Sequence, residues 1–375
     1  MSFLRRIWAE IDESALLHNL KVIREQAGNC SVMAVVKANA YGHSAKIVAP
    51  LLEKNGVDFF AVSNIEEAVT LRELGIQAKI LILGYTPPSS VTDLCKYDIA
   101  QCVYSSDYAA MLSEAAVREK VTVKVHIKLD TGMGRIGFDC RDEQLSGVDE
   151  ALKAARSPNF HTEGLFTHFA AADRTEEDED GFTDAQYDRF TAAFKRFQAA
   201  GINPTYCHCC NSAALCLDRE KHNTLCRAGI VLYGLKPDGC RDVDFKPVMT
   251  VKSVVSMVKE IQEGQTVSYG RTFTAKKPMR VATVSAGYGD GYPRLLSNRG
   301  EVLIHGVRAP IVGRVCMDQF MVDVSSIENV APEDEVVLFG EGLPLQELAD
   351  LCNTIHYELA CNVSPRVPRV AVNQE

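Results

Sequence analysis

Between residue 31 and about residue 235 the chain alternates between two hydrophobic textures. Apolar, β-branched runs occupy Ser31–Val36, Phe59–Val62, Lys79–Leu83, Ile99–Tyr104, Val121–Leu129, Phe160–Phe169, Thr205–Cys210 and Leu225–Tyr233. Most are separated by stretches with helical spacing, such as Ser44–Lys54, Ile65–Leu74, Tyr108–Glu119 and Ala185–Ala200. Strands that are apolar throughout suit a parallel sheet buried on both faces, with right-handed crossover helices as cover. Eight such units in about 200 residues predict a closed (β/α)8 TIM-type barrel in preference to an open doubly wound sheet. A further helix, Glu13–Gln26, is predicted ahead of the first barrel strand.

After about residue 240 the pattern shortens. Alternating runs at Met249–Val258, Thr266–Tyr269, Arg280–Ser285, Glu301–Ile304, Met321–Val324 and Glu335–Phe339 are divided by Gly, Pro and Asp, with one helix predicted at Leu345–Asn353. This is the texture of a mainly β domain. The Pro/Gly/Asp-rich stretch Lys236–Asp244 places the boundary, giving a barrel over 1–240 and a β domain over 241–375.

Composition narrows the function classes. The 375 residues carry 40 Lys+Arg against 49 Asp+Glu, a net charge of −9, which argues against a broad nucleic-acid surface. No apolar run approaches the roughly 18 residues of a membrane span, and the N-terminus lacks the apolar core of a signal peptide. A cytoplasmic protein with no membrane partner is expected. The thirteen cysteines are odd in number and mostly sit in apolar runs, so they read as reduced core residues. Cys207-His208-Cys209-Cys210 looks metal-like, but no second ligand pair follows, and neighbours on a strand face opposite ways. No metal site is expected.

In a (β/α)8 barrel the chemistry sits at the C-terminal ends of the strands. The first strand ends in Lys37 and continues Ala-Asn-Ala-Tyr41-Gly-His43. The fifth ends Lys128-Leu-Asp130-Thr-Gly-Met-Gly-Arg135, and the sixth ends Phe-Thr-His168-Phe. The seventh ends His208-Cys-Cys-Asn211-Ser212, and the eighth contains Arg227-Ala-Gly229-Ile230. Singly, each has a bland reading: a terminal Lys usually snorkels to water, and a strand His or Arg is usually a satisfied structural group. Five such groups on one rim point to a site.

These segments resemble the alanine racemase family, pyridoxal-phosphate enzymes built from a barrel and a β domain. The resemblance begins with Val-Val-Lys37-Ala-Asn-Ala-Tyr41-Gly-His43 and includes His-Ile-Lys128-Leu-Asp-Thr-Gly-Met-Gly-Arg135, Phe-Thr-His168-Phe, Asn211-Ser212-Ala and Arg227-Ala-Gly-Ile. It continues through Ser-Tyr269-Gly, Gly-Tyr288-Gly-Asp-Gly-Tyr292 and Gly-Arg-Val-Cys316-Met317-Asp318-Gln to Arg366-Val-Pro-Arg369, in family order over nearly the whole chain.

The resemblance implies pyridoxal 5'-phosphate as cofactor and racemisation of L-alanine to D-alanine. A pyridoxal aldehyde needs an amine, and a desolvated Lys37 on the rim fits. Cofactor contacts are implied for Tyr41, His168, Asn211, Ser212, Arg227, Gly229 and Ile230. Arg227 cannot give up its proton, so a pyridine nitrogen facing it stays largely unprotonated and the ring is a weaker electron sink. A short-lived Cα carbanion then favours racemisation over transamination. Arg135 suits the substrate carboxylate, and Lys128 stands where the family often carries a carbamylated lysine that orients this arginine. Racemisation needs a base on each face: Lys37 for one and, by resemblance, Tyr269 of the partner subunit for the other, in an obligate homodimer with composite sites. A chain Tyr269–His168–Arg227–His208 would lower the phenol pKa from its usual value of about 10. Met317, Tyr288, Tyr292, Arg294 and Asp318 are expected to line the substrate entrance and pocket.

One position departs from the pattern. Many members have a tyrosine before Arg-Val-Pro-Arg that touches the phosphate and borders the pocket for the alanine methyl; here the residue is Pro365. The loss of a hydroxyl and of bulk there predicts room for serine, since a small apolar pocket discriminates one hydroxyl weakly. The acidic run Asp173–Asp180 reads as a solvated loop. Two alternatives are a fold-related diamino-acid decarboxylase, for which Cys316 is a superficial signal in a racemase-like frame, and a non-catalytic pyridoxal-phosphate-binding protein, which would need no β domain.

Overall fold

The computed structural model describes residues 6–173, 181–238, 240 and 242–374; the acidic run lies almost wholly outside them. The chain forms two compact units. One comprises Leu17–Ala40 and Val48–Phe245; the other comprises the chain up to Leu16, Tyr41–Ile47 and the chain from Lys246 onward.

The first unit is a nearly closed parallel barrel. Its eight strands run in the order Leu225–Ala228, Ser31–Val35, Phe59–Val62, Lys79–Ile82, Ile99–Val103, Val123–Asp130, Phe160–Phe166, Tyr206–His208. Every pairing between these neighbours is parallel. The last gap is spanned by Thr224 N–H to Cys207 O at 3.1 Å and Arg227 N–H to Cys210 O at 3.2 Å. The strands are buried on both faces, as their unbroken apolar runs require; Phe59–Val62 and Ile99–Val103 are buried at every position. Helices Ala45–Lys54, Ile65–Glu73, Ser106–Glu119 and Phe182–Ala199 lie within two or three residues of the predicted limits. The run Leu225–Tyr233 divides: its strand ends at Ala228, and Ile230–Tyr233 is a tight helical turn after Gly229 at φ −110°, ψ −103°.

The second unit centres on an eight-stranded, mostly antiparallel sheet with Met249–Ile261 as its longest member. A register irregularity between Val255 and Met257 marks where this strand leaves Glu335–Phe339 and pairs along Met279–Val284. Ile7–Asp12 falls within the expected barrel domain 1–240, where the sequence pattern predicts no element for it. It is a strand of this second sheet, antiparallel to Met249–Ile261 and parallel to Arg369–Val372. Compactness therefore divides the chain differently from a single cut at 240/241.

Candidate active site

Lys37 follows strand Ser31–Val35 of the barrel unit. The strand end is fixed by the buried Tyr233, whose hydroxyl donates to Val35 O at 3.0 Å. The residues after Lys37 are unusual: Ala38, Asn39, Ala40 and Tyr41 all have φ between 51° and 56°. This is one turn of left-handed helix made without glycine, each residue costing about 1–2 kcal/mol relative to its right-handed form. Glu67 holds its start, accepting from Ala38 N–H at 2.7 Å and from Ser63 N–H at 2.8 Å.

Arg227 organises the opposite side of the rim. It is buried, and its two terminal nitrogens donate to His208 Nδ1 (2.8 Å), His168 Nδ1 (3.0 Å) and the carbonyls of Thr167, His208 and Cys209 (2.9–3.2 Å). A guanidinium can only donate, so both imidazoles accept at Nδ1 and carry their protons on Nε2. The His208 Nε2–H then donates to His126 Nδ1 at 3.0 Å, which puts the His126 proton on Nε2, a buried atom without a partner among the described residues. Gly164 makes room for that ring: a Cβ there would lie 2.1 Å from His126 Nδ1. All three histidines are held neutral. Burial lowers His126 to about 3. Burial and then Arg227 lower both His168 and His208 well below the usual imidazole range.

His168 is bonded to Arg227 and feels three further positive groups. After burial, the groups depressing it are Arg227, Arg135, Lys128 and Lys37, with no carboxylate prominent among them. Lys128 is itself buried, its Nζ 5.7 Å from the centre of the Phe166 ring. Burial lowers its pKa to about 8, opposed by Cys102 and reinforced by Arg135 and Arg227. Arg135 is exposed at the end of a loop that Asp130 shapes, its carboxylate accepting from Gly132 N–H and Gly134 N–H at 3.0 Å. Gly137, at φ 136°, passes so close that a Cβ would sit 2.5 Å from Asp130 N.

Ser212 and Gly229 meet beside this rim. Asn211 caps the short helix Ser212–Leu217 by accepting from Ala214 N–H at 3.0 Å. Ser212 Oγ accepts from Gly229 N–H at 2.9 Å, which leaves its own hydroxyl proton to donate elsewhere. Buried Gln186, from helix Phe182–Ala199, ties two loops together. It accepts from Ala170 N–H at 2.9 Å and donates to His168 O (3.1 Å) and Thr131 Oγ1 (3.3 Å). Nothing in the sequence singled out Gln186 or His126. Asp130 carried one local signal, an Asp directly before a glycine-rich turn.

In the second unit, Tyr269 is 71% exposed on a turn where Ser268, Gly270 and Arg271 all have positive φ. Ser268 Oγ donates to Arg314 O at 2.7 Å, and Cys316 O and Met317 O accept from Tyr288 N–H and Gly289 N–H at 3.0 and 2.9 Å. The segments bearing Tyr269, Tyr288 and Met317 are thus joined, and all three side chains are exposed. Arg294 begins a short helical turn, Arg294–Leu296. Tyr292, expected with the entrance residues, is buried against Phe320 with a ring-centre separation of 5.0 Å. The hub of the region is Asp290, the acidic residue within Gly-Tyr288-Gly-Asp-Gly-Tyr292. Its buried carboxylate accepts from Arg6 at 3.1 Å, from Arg366 Nε at 2.9 Å and from Gly287 N–H at 3.0 Å. Arg366 also pairs with Asp318. Tyr41 is buried, its ring 6.4 Å from Tyr357.

Comparison with known proteins places this geometry. The family model described as "Alanine racemase, N-terminal domain" matches residues 11–237, and "Alanine racemase, C-terminal domain" matches 248–371. Alanine racemase from Desulfovibrio desulfuricans is 44% identical, with 99% of this chain and 100% of that protein covered. Alanine racemase 1 of Clostridium acetobutylicum is 42% identical, covering 98% and 96%. Among solved structures, alanine racemase from Clostridium difficile 630 superposes with a TM-score of 0.93 at 36% identity, covering 100% and 98%. The Bacillus anthracis alanine racemase with bound L-Ala-P gives 0.90 at 35%, covering 100% and 97%. With both of its domains matched and relatives above 40% identity along its length, the chain belongs to the alanine racemase family.

Proposed function

We propose that this protein interconverts L- and D-alanine with pyridoxal 5'-phosphate, as a homodimer in which Lys37 and Tyr269 of the partner subunit act on opposite faces of the substrate. The observation that carries the reading is the placement of Lys37, Lys128, Arg135 and Arg227 on or just after barrel strands, with Arg227 bonded to the Nδ1 of His168. Such a site calls for anions, and a phosphate and a substrate carboxylate supply them.

The residues present fit the cofactor. Arg227 bonds protein through its two terminal nitrogens but makes no bond through Nε among the described residues. That Nε–H is a donor that cannot dissociate, suited to a ring nitrogen that accepts. The Ser212 hydroxyl, beside Gly229 and Ile230, suits a phosphate oxygen. When bound, pyridoxal phosphate makes the substrate Cα–H acidic by conjugation with its ring. Lys37 holds or takes the proton on one face, and the partner subunit's Tyr269 does so on the other. Arg135 orients the carboxylate, and the neutral imidazole of His168, fixed by Arg227, offers Nε2–H as a donor. The exposure of Tyr269 on its own chain supports a role in a neighbour's site.

Replacing Tyr269 by Phe is expected to keep cofactor absorbance and lower racemisation by about 10²–10³-fold, the usual contribution of one general acid–base group. The check is deuterium exchange at Cα from each enantiomer: one direction should fall much further than the other, and equal losses would remove the two-base assignment.

For Lys128, the pKa of about 8 leaves a substantial fraction of neutral amine near neutral pH, the form that adds CO2 to give a carbamate. Protein in ¹³C-bicarbonate should therefore show a carbamate resonance that grows as pH is raised toward 8 and is absent from Lys128→Arg. Conversion of this cation to an anion would give Arg135 a partner.

Substrate preference turns on Pro365, which lies exposed beside Arg366. Initial rates on L-alanine and L-serine, read by a D-specific coupled assay, are expected to show alanine ahead with measurable serine turnover. Negligible serine turnover would make the proline silent, and activity on neither would remove the racemase assignment.

A further inference from the structure

The run Cys207–Cys210 does not converge as a unit, in keeping with its strand geometry. His208 turns to Arg227, while Cys210 leaves the run to meet residues from elsewhere in the barrel unit. The potential ligand atoms of Cys210, His222 and Cys226 all lie within 4.8 Å of one another. Cys226 is on strand Leu225–Ala228 and His222 is in the loop leading to it; Cys30, just before the neighbouring strand, brings its Sγ to 3.3 Å from Cys226 Sγ. We propose that Cys210, Cys226 and His222 form a binding site for a soft divalent cation of the zinc type, made of side chains that the proposed racemisation does not use.

Three features favour a cation over plain packing. His222 Nε2 faces Leu215 O at 3.1 Å; a carbonyl only accepts, so the ring proton is on Nε2 and the lone pair on Nδ1. A backbone-carbonyl contact of this kind fixes the tautomer of metal-ligating histidines. Two thiols and one imidazole are the donor set of a Cys₂His zinc site, in which a fourth position is open to water or to a further thiol such as Cys30. Charge also balances: two thiolates neutralise the cation, so a filled site adds no net charge beside buried Arg227. As each metal–sulfur bond forms, the thiol proton leaves to solvent, and Cys210 gives up its contact with Lys221 O at 3.3 Å. Cys30 and His222 are only partly buried, which gives the ion a way in.

The test uses full-length protein without a histidine tag, metal-stripped and equilibrated with Co²⁺ alone, then Zn²⁺. The expected result is one equivalent of Co²⁺ per chain with a near-ultraviolet thiolate-to-cobalt band, displaced stoichiometrically by Zn²⁺ and unchanged in Cys95→Ser. Cys226→Ser should lose most of the band. His222→Gln, at a half-buried loop position the strands do not depend on, should keep the band while binding at least about tenfold more weakly. It remains informative even if Cys226→Ser fails to fold. Absence of the band, or a band with unchanged affinity in His222→Gln, would overturn the proposal.

Discussion

Lys37→Ala is expected to abolish racemisation, with kcat lowered by about 10³-fold or more, while the protein keeps its fold. On the proposed mechanism two roles would disappear together in this variant: the amine that would hold the cofactor covalently, and a base on one face of the substrate, each a large contribution. Lys37→Arg separates charge from chemistry. It preserves the positive potential at the rim but offers a guanidinium that neither dissociates nor forms the covalent link, so it should be nearly as inactive as the alanine variant. The readouts are the visible absorbance of cofactor bound through the Lys37 nitrogen and the rate of D-alanine formation. A Lys37→Arg protein with a tenth or more of the wild-type rate would displace Lys37 from the mechanism. Because the Lys37 strand is fixed through Val35 and Tyr233, neither variant should shift the unfolding midpoint by much.

The second large effect is expected at Arg227, and it falls on stability as well as activity. Arg227→Gln removes a buried fork that satisfies two imidazole nitrogens and three carbonyls. An amide replaces at most two of these donors; the His208 carbonyl keeps its bond from Thr167 N–H, and the other acceptors not replaced are left buried and unpaired. Each such group costs about 1–3 kcal/mol, so a net loss of roughly 3–5 kcal/mol is expected after relaxation. Arg227→Lys should rescue little, because an ammonium cannot reproduce the planar fork. Denaturant unfolding of the cofactor-free protein measures the stability term. Histidine NMR measures the other: His168 and His208, freed from their donor, should lose the fixed tautomer. Unchanged imidazole spectra would mean that the guanidinium does not set them.

Much of the barrel was legible because burial on both faces writes continuous apolar runs. Phe59–Val62, for instance, has the same limits in sequence and structure. The failures are non-local. Ile7–Asp12 pairs with Met249–Ile261, some 240 residues away, so its six residues carried no local signal of which sheet they join. Leu225–Tyr233 read as one strand because composition does not register the backbone turn at Gly229. The rim cations were readable from their positions after strands. Gln186 and Asp290 were not, because each acts through hydrogen bonds to segments distant in the chain. The grouping of Cys210, His222 and Cys226 escaped for a related reason: sequence spacing reports pairs along one strand, whereas this grouping depends on which strands and loops are neighbours.

The four left-handed residues after Lys37 bear on the order in which the chain can assemble. Together they carry about 4–8 kcal/mol of local conformational energy, comparable with the net stability of many whole domains. A peptide of this sequence alone would not hold that shape, so the turn is a late product of folding, imposed by anchors such as Glu67 on its first amide. The chain passes from one compact unit to the other within this turn, between Ala40 and Tyr41. Until it is wound, Lys37 follows its strand with no fixed continuation. The shape of the chain after Lys37 is thus set by tertiary anchors and not by local preference.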